Sequence, residues 1–460
     1  MFARFFRIAG LCLLPISLGI AAPGDKPVEQ HVASGVPILQ LANAVDAALQ
    51  DNPGLAAMRA RAAAAAAVPE QAAVLPDPRL QLNAVNLPMD TFSLSQEGMT
   101  QLQVAVVQAL PFPGKLALRE RVAEFESAAA HDEVGEMRLQ LQRDVRNLWW
   151  NLYYLDRALE ILQRNRQLLR QLVEVTQTKY RVGQGLQQDV LLAQLELSRL
   201  HDQEIALLGS RRSEEARLNA LLNRSANQPI RLPKMVPATL AEPVDEPILQ
   251  AQALQNRPLL AARQNVIEAA RTRLDLARKD RSPDFSLGAR YGLRVGDNPD
   301  GSSRADFASI MFSMNMPIFT NRRQDSAIDQ RGSQLQQQRY NLDEARLRVS
   351  REVSRALADY RAAREQARLL ETGILPQARL TVASMLAAYQ VDKVDFLNVV
   401  RVQIMLFNYE TRYWNAISRA NQAQAALQAA VGLSFDDDVA AVPLSSRIES
   451  DVFPEEAPHE

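Results

Sequence analysis

Cysteine, histidine and excess charge are all scarce in this sequence of 460 residues. The single cysteine is Cys12, and the four histidines stand far apart at positions 31, 131, 201 and 459. The formal net charge is −1, with opposite charges interspersed. These shortages exclude a disulfide framework and leave no basic surface for nucleic acid. No nucleophile or ligand cluster stands in context either, so we expect no enzyme activity, no metal site and no cofactor.

Long apolar runs are also absent, except at the N-terminus. In residues 1–22, two arginines precede an uncharged apolar run that ends in small residues. This pattern predicts a signal peptide, followed by a linker over residues 23–36. A transmembrane anchor is the alternative, which Pro15 and Gly19 disfavour. Cys12 follows a leucine instead of the small residue typical of lipid attachment, so we do not expect lipidation.

The chain repeats its own phrases. KYRVGQGLQQDVLLAQ begins at Lys179, and the similar AYQVDKVDFLNVVRVQ begins at Ala388, so that Tyr389 follows Tyr180 by 209 residues. ALQDNPGLAA is answered by ALQNRPLLAA, and Arg-Asp-Val by Arg-Glu-Val. We predict structural repeats over residues 37–223 and 248–433. A proline-rich linker at 224–247 separates them, and an acidic tail follows at 434–460.

Each predicted repeat contains two segments that alternate apolar and polar residues. In each repeat the first segment follows a proline, Pro78 or Pro283, and the second segment ends before a proline, Pro111 or Pro317. A period of two predicts β-strands, here about ten residues long. Two surface hairpins on a soluble core are one interpretation. The other is a membrane barrel, because this length crosses a tilted bilayer.

The membrane interpretation places Arg290 and Arg294 on the polar face of the third strand, where they would line a wet lumen. Backbone groups in lipid must all be paired, so only a closed barrel is allowed. Four strands cannot close, since the smallest barrels have about eight. Several copies must therefore pool their strands: two copies would give a filled interior, and three would begin to leave a passage.

Very long helices follow the strand pairs. From Gly114 to about Arg181 there is no proline, and the apolar residues recur at alternating steps of four and three. That spacing predicts a coiled-coil seam on a helix about 100 Å long. A second such helix is predicted from about Asn321 to Gln390. Each helix then turns back, so the quoted phrases are the tips of two helical hairpins on the same side of the sheet.

The chain resembles the TolC-like outer-membrane efflux proteins over nearly its whole mature length. The resemblance rests on the duplicated halves, the two tip phrases, the strand exit LPFPGK and Asp189-Val190-Leu191 with Gln194. It implies an α+β fold in which three copies form a twelve-stranded barrel in the outer membrane, continuous with an α-helical coiled-coil barrel in the periplasm. It also implies docking onto a periplasmic adaptor protein and an inner-membrane efflux pump.

The resemblance assigns site residues at the tips. The expected docking residues for the adaptor are Val182, Gly183, Gly185, Leu186, Val391, Asp392 and Lys393. The expected lining of the closed aperture is Asp189, Asp395, Asn398 and Arg401. Well-known members carry two acids where this chain has Asn398 and Arg401, which argues against an acidic ring at that level. We hypothesise that Asp189 and Arg401 hold or line the aperture; plain solvation is the alternative reading of the neighbouring charges.

Two alternatives concern function. A periplasmic coiled-coil adaptor or scaffold without a pore would share the signal peptide and the heptads, but it should lack the duplication. The strand exit is similar to members that serve heavy-metal export, which favours metal ions as cargo over drugs or proteins. Met311, Met314 and Met316 are candidate soft-metal ligands, although the strand pattern places Met314 and Met316 on the lipid face.

Overall fold

The computed structural model describes residues 37–237, 240–391 and 393–433. The signal peptide and linker predicted over 1–36, the tail predicted over 434–460 and the docking residue Asp392 lie outside the described residues.

The first half runs from short helices through a strand pair into a long helical hairpin. Its elements are α1 (Leu41–Asp51), α2 (Pro53–Ala66), α3 (Val68–Ala73), β1 (Arg79–Val85), β2 (Gln101–Leu110), α4 (Lys115–Arg181) and α5 (Gln187–Leu221). The strands fall where the alternation predicted them, although β1 has 7 residues instead of about ten because the chain turns away at Asn86, whose φ is +54°.

The second half repeats this order and confirms the internal duplication. Its elements are α6 (Glu246–Asn256), α7 (Pro258–Lys279), β3 (Phe285–Leu293), β4 (Phe307–Met314), α8 (Gln324–Leu369), a π-helical turn (Leu370–Ile374), α9 (Leu375–Gln390) and α10 (Phe396–Val431). The outer limits of the two repeats stay a prediction. No helix among the described residues is both long enough and apolar enough to cross a bilayer.

The four strands form one antiparallel sheet in the order β1-β2-β3-β4. The two hairpins are joined through β2 and β3, where Val104 pairs with Tyr291 and Ala105 pairs with Arg290. This junction links strands from different halves of the chain. The sheet therefore has one free edge at β1 and another at β4.

The helices next to the sheet are arranged in the same spatial order as the strands. α2 and α3 pack on α4, α4 packs on α7, and α7 packs on α8. Farther from the sheet, α5 packs on α4, α4 on α10, and α10 on α8 and α9. The largest core lies in the middle of α4, where Trp149 and Tyr153 stack with ring centroids 5.7 Å apart.

The two long helices differ at one place. α4 is a continuous α-helix of 67 residues, whereas the π-helical turn interrupts its counterpart. Seam residues correspond at a spacing of 208 residues up to Leu162 and Leu370, but Leu169 corresponds to Ala378 and Tyr180 to Tyr389 at 209. One extra residue therefore lies between them, and a π-turn absorbs a single extra residue without ending the helix. Pro376, just beyond it, cannot donate the usual helical hydrogen bond.

The segment predicted as a linker is anchored along the helices. Ile230 is buried, its carbonyl accepts a hydrogen bond from Arg211 Nη2 (2.8 Å), and its amide donates to Glu215. Farther along, the Tyr360 hydroxyl donates to the Ala241 carbonyl (2.7 Å). The described part of the segment thus forms a strap along the helices, in which side chains pair with the backbone of Ile230 and Ala241, although its composition lacks periodicity.

Candidate functional site

The sheet presents an exposed apolar face. Leu82, Ile310 and Phe312 are 71, 85 and 66% exposed, and Met314 and Met316 are also exposed. On the opposite face Gln103 and Ala105 are buried. A water-soluble sheet would show the reverse pattern, because its apolar face would be packed on a core. The exposed face is therefore the one that suits lipid.

The free edges of the sheet add a second requirement. β1 pairs only with β2, and β4 pairs only with β3 within the described chain. Unpaired N–H and C=O groups along an edge cost several kcal/mol each in hydrocarbon, so both edges need strand partners. Antiparallel order is preserved when β4 of one copy meets β1 of the next, which closes a ring from several copies.

The sheet and the helices meet at a buried lysine. Lys115 is 2% exposed at the start of α4, and its Nζ contacts Asp284 Oδ1 (2.9 Å), Asp280 Oδ1 (3.2 Å) and the Ser282 carbonyl (3.1 Å). The Phe112 amide also donates to Asp284 Oδ1 (2.8 Å). Gly114 precedes the helix at a φ of +89°, which favours glycine. The strand exit LPFPGK therefore fixes the direction in which α4 leaves the sheet.

Asp284 reports the electrostatics of this junction. Partial burial by itself raises the pKa of the Asp284 carboxyl, but the Phe112 amide and the Lys115 ammonium outweigh burial and hold the pKa below its ordinary value. Because this lowered pKa favours the ionised form in the folded chain, the pairing stabilises the junction above the ordinary carboxyl pKa. The stabilisation is lost as the pH falls through the lowered value.

The first hairpin tip depends on two glycines. Gly183 has a φ of +76°, and its amide donates to the Tyr180 carbonyl (3.0 Å). At Gly185 a Cβ atom would lie 3.0 Å from Lys179 Cβ and 3.2 Å from Tyr180 N. A side chain at this position would require Lys179 and the backbone of Tyr180 to shift by a few tenths of an ångström, so glycine suits this turn. In the second tip the Lys393 amide donates to the Ala388 carbonyl (2.9 Å).

The two tips pack on each other through an aromatic cluster. Phe396 is 1% exposed, its ring centroid lies 5.7 Å from that of Tyr389, and Lys179 Nζ lies 4.4 Å from the Tyr389 centroid. The same apolar cluster contains Leu169, Leu172, Ala193, Val399 and Val400. In contrast, the predicted docking residues Val182, Leu186 and Val391 are 63, 60 and 62% exposed. The two tips thus pack side by side through this cluster, and the apolar side chains at their ends are exposed.

The predicted aperture residues lie around this cluster. Burial raises the pKa of Asp189, a hydrogen bond from the Leu186 backbone lowers it, and the nearby carboxylate of Asp395 raises it again, so the pKa is above its ordinary value. The structure therefore brings Asp189 of the first tip near Asp395 of the second. Asn398 is half-buried and Arg401 is exposed. Within the described residues, Arg401 has no ion pair, and its pairing with Asp189 stays a prediction.

The sequence profile of one protein family covers both halves of the chain. The outer membrane efflux protein family matches residues 44–224 and 249–433. The chain belongs to this family. The prediction from the tip phrases and the duplication is therefore confirmed.

Individual relatives agree with this assignment. Protein CyaE of Bordetella pertussis is 27% identical over 365 residues, covering 77% of this chain and 76% of the relative. The cobalt-zinc-cadmium resistance protein CzcC of Cupriavidus metallidurans is 20% identical over 362 residues, covering 79% of this chain and 82% of the relative. The outer membrane protein VceC of Vibrio cholerae shares the fold, with a TM-score of 0.73 and 21% identity over 86% of this chain and 97% of VceC.

The efflux channel is a homotrimer, whose twelve strands form the barrel and whose helices continue it as a coiled-coil barrel. It lies in the outer membrane with its helical part in the periplasm, and it passes substrates received from a periplasmic adaptor and an inner-membrane pump. Its family and fold are those of channel proteins.

The two lumen candidates of the efflux channel are placed differently. Arg290 lies within β3 between Ala105 and Ser309, half-buried on the polar face. The alternation ends at Leu293, so it does not extend to Arg294. The Arg294 guanidinium instead donates to the Ala305 and Gly98 carbonyls (2.6 and 3.1 Å), binding the two loops at the far end of the hairpins. A lumen role for either arginine stays a prediction.

The efflux channel also contains a buried ionic clasp that the sequence did not reveal. Arg257, 4% exposed, precedes Pro258 at the start of α7 and donates through Nε and Nη2 to the two carboxylate oxygens of Glu136 on α4, each at 2.8 Å. Its Nη1 donates to the Ala429 carbonyl near the end of α10 (2.6 Å). Its Nη2 also lies 3.4 Å from Glu352 Oε2 on α8, so one side chain connects four helices from both halves of the chain.

The corresponding residue of the first half is Asn52. It precedes Pro53, caps α2 by accepting from the Leu55 amide (3.0 Å), and donates to the Leu221 carbonyl at the end of α5 (3.0 Å). Both residues therefore bind the end of their own return helix. Only Arg257 is long enough to reach a carboxylate in the other half. The aligned Asn-Pro and Arg-Pro dipeptides were the available signal for this pair.

Proposed function

We propose that the exposed ends of the two hairpin tips are the surface that receives the periplasmic adaptor. The proposal is supported by Val182, Leu186 and Val391, which are over half exposed although Tyr389 and Phe396 at the second tip are buried. Gly183, Gly185 and Lys393 shape the turns that present these side chains, and Asp392 is included in the proposal by its place in the tip phrase. Apolar side chains on a rigid turn offer a partner contact area with little loss of conformational entropy.

A pair of matched variants tests docking. Val182→Asp should weaken adaptor binding and lower export, because it places a charge in an apolar contact. Met235→Asp is the control, since Met235 is 90% exposed in the strap, away from the tips. Both variants should form trimers in the outer membrane. Equal export by the two variants, or equal capture of the adaptor by cross-linking, would contradict the docking proposal.

We further propose that Asp189 and Asp395 line the aperture, with Asn398 about one turn and Arg401 about two turns farther along α10. Three copies of the two carboxylates would gather around one axis, and a ring of like charges raises the local concentration of counter-ions. The raised pKa of Asp189 supports this proximity within one chain. An aperture of this composition favours the passage of cations.

Metal cations are accordingly the cargo that we propose. Support comes from the similarity of the chain to CzcC, which is a cobalt-zinc-cadmium resistance protein, and from the strand exit LPFPGK. The proposed duct conducts its cargo and performs no chemical step. Deletion of the gene should increase sensitivity to cobalt, zinc and cadmium more than to detergents. Sensitivity to detergents alone would assign the channel to drug export. The assignment of the protein as an efflux channel would still hold.

A further inference from the structure

The two kinds of seam in the assembled barrel are chemically different. Within one chain, the segment that leaves β2 packs on the segment that enters β3. This internal seam is ionic: Lys115 lies between Asp280 and Asp284, and Lys279 Nζ lies 6.0 Å from the centroid of the Phe112 ring. By the duplication, the segment that leaves β4 is the counterpart of the segment that leaves β2.

Among the residues that the structure describes, the counterpart in the second half has no such partner in its own chain. Pro317 matches Pro111, so Ile318 and Phe319 occupy the places of Phe112 and Pro113. They are 73 and 72% exposed. The matching segment that enters a strand is the one ahead of β1, where Val74 and Leu75 are 67 and 44% exposed. Four large apolar side chains are therefore uncovered at the same end of the sheet, on its two opposite edges.

We propose that Ile318 and Phe319 of one copy pack on the partner's Val74 and the partner's Leu75, forming an apolar lock between subunits at the base of the barrel. The proposal rests on the trimer. Ring closure brings β4 of one copy beside β1 of the next. The helices support the same contact, because α8 then lies against the next copy's α2 and α3 in the way that α4 lies against α7 within one chain.

The charge pattern supports the choice of a second copy as occupant. The Lys115 position of the internal seam is Asn321 in the second half, and the Asp280 and Lys279 positions are Leu75 and Val74 in the first. The Asp284 position is Arg79 in the first half, so three of the four ions of the internal seam have an uncharged counterpart on these edges. An apolar surface on one edge is complementary to an apolar surface on the other, and burying both removes them from water.

Cysteine cross-linking between differently tagged chains tests the lock. One chain carries Leu75→Cys and the other Phe319→Cys, and both are co-expressed and treated with a short bismaleimide. Because each chain carries only one of the two introduced cysteines, a covalent dimer that contains both tags joins two subunits. The matched control replaces Leu75→Cys by Met89→Cys, an 81% exposed residue in the loop between β1 and β2, beyond the opposite ends of those strands.

We expect a mixed dimer at several times the control yield. Heat-modifiable trimers without this dimer would overturn the lock while leaving the channel intact, and equal yields for the control pair would overturn it as well. Ile318→Cys replaces Phe319→Cys if the latter chain does not assemble. As a second measurement, Phe319→Ser should lower the temperature at which the trimer dissociates, whereas Phe319→Leu should not. An unchanged temperature for Phe319→Ser would indicate that lipid, not a subunit, covers this side chain.

Discussion

The ionic clasp predicts an asymmetry between breaking it and removing it. Arg257→Met retains a long side chain but leaves the Glu136 carboxylate, 9% exposed, without its cation. Only the amide of Gln140, at 2.9 Å, still donates to it. Removing one partner of a buried ion pair destabilises proteins by about 3–5 kcal/mol, because the remaining charge is uncompensated. The double variant Arg257→Met with Glu136→Gln removes that charge and should recover most of the loss.

For Arg257→Met we expect a destabilisation at the lower end of this range, because Glu136 keeps one hydrogen bond. About 3 kcal/mol corresponds to a change of about 150-fold in an equilibrium constant. Denaturant unfolding of the detergent-solubilised channel, followed by circular dichroism, measures this change directly. Where unfolding is irreversible, the rate of unfolding measures it instead.

Arg271→Met is the matched control for this experiment. Arg271 lies on the same helix and pairs with Glu268 at 2.9 Å, but the two side chains are 51 and 25% exposed. An exposed pair of this kind contributes less than about 1 kcal/mol. If Arg257→Met destabilises the channel no more than Arg271→Met does, or if the double variant is as unstable as the single one, the reasoning from burial is wrong.

Three further predictions concern the junction and the aperture. Lys115→Met should destabilise the trimer by about 1–3 kcal/mol, because Asp280 and Asp284 lose their cation but remain half-exposed to water; an unchanged melting temperature would contradict this. The raised pKa of Asp189 means that its ionised form opposes packing of the tips and that its protonated form favours packing. Single-channel conductance in planar bilayers should therefore fall as the pH is lowered from neutral toward the ordinary carboxyl range. Asp189→Asn should show the low-pH conductance at neutral pH, and an identical pH profile would refute the assignment. Arg401→Ala should increase cation selectivity, measured as the reversal potential in a salt gradient, since it removes an exposed positive charge near the aperture; no shift would exclude Arg401 from the lining.

Local patterns predicted most of the fold. The alternation in both strand pairs and the steps of four and three along α4 placed the strands and the long helices correctly. These features depend on neighbours two to four residues apart, so the sequence carries them directly. The tips were found by repetition, and the glycine at position 185 has a clear steric reason in the fold.

Long-range polar contacts could not be predicted in the same way. Lys115 meets Asp284 across 169 positions of sequence, and Arg257 meets Glu136 across 121. Nothing local distinguishes these side chains from the exposed arginines and glutamates of the same helices. The π-helical turn is an intermediate case. Its signal was present in the change of repeat spacing from 208 to 209 residues, but only the structure places the extra residue beside Pro376.

The two free edges of the sheet have a consequence for the life of the chain before it becomes part of a channel. A newly made copy carries unpaired backbone on β1 and β4 together with a bare apolar face, which is the combination that makes isolated strands stick to the wrong neighbours. A single copy in water is therefore prone to aggregate. The concentration of unassembled copies must be kept low, and trimer assembly must be closely coupled in time to insertion into the lipid bilayer.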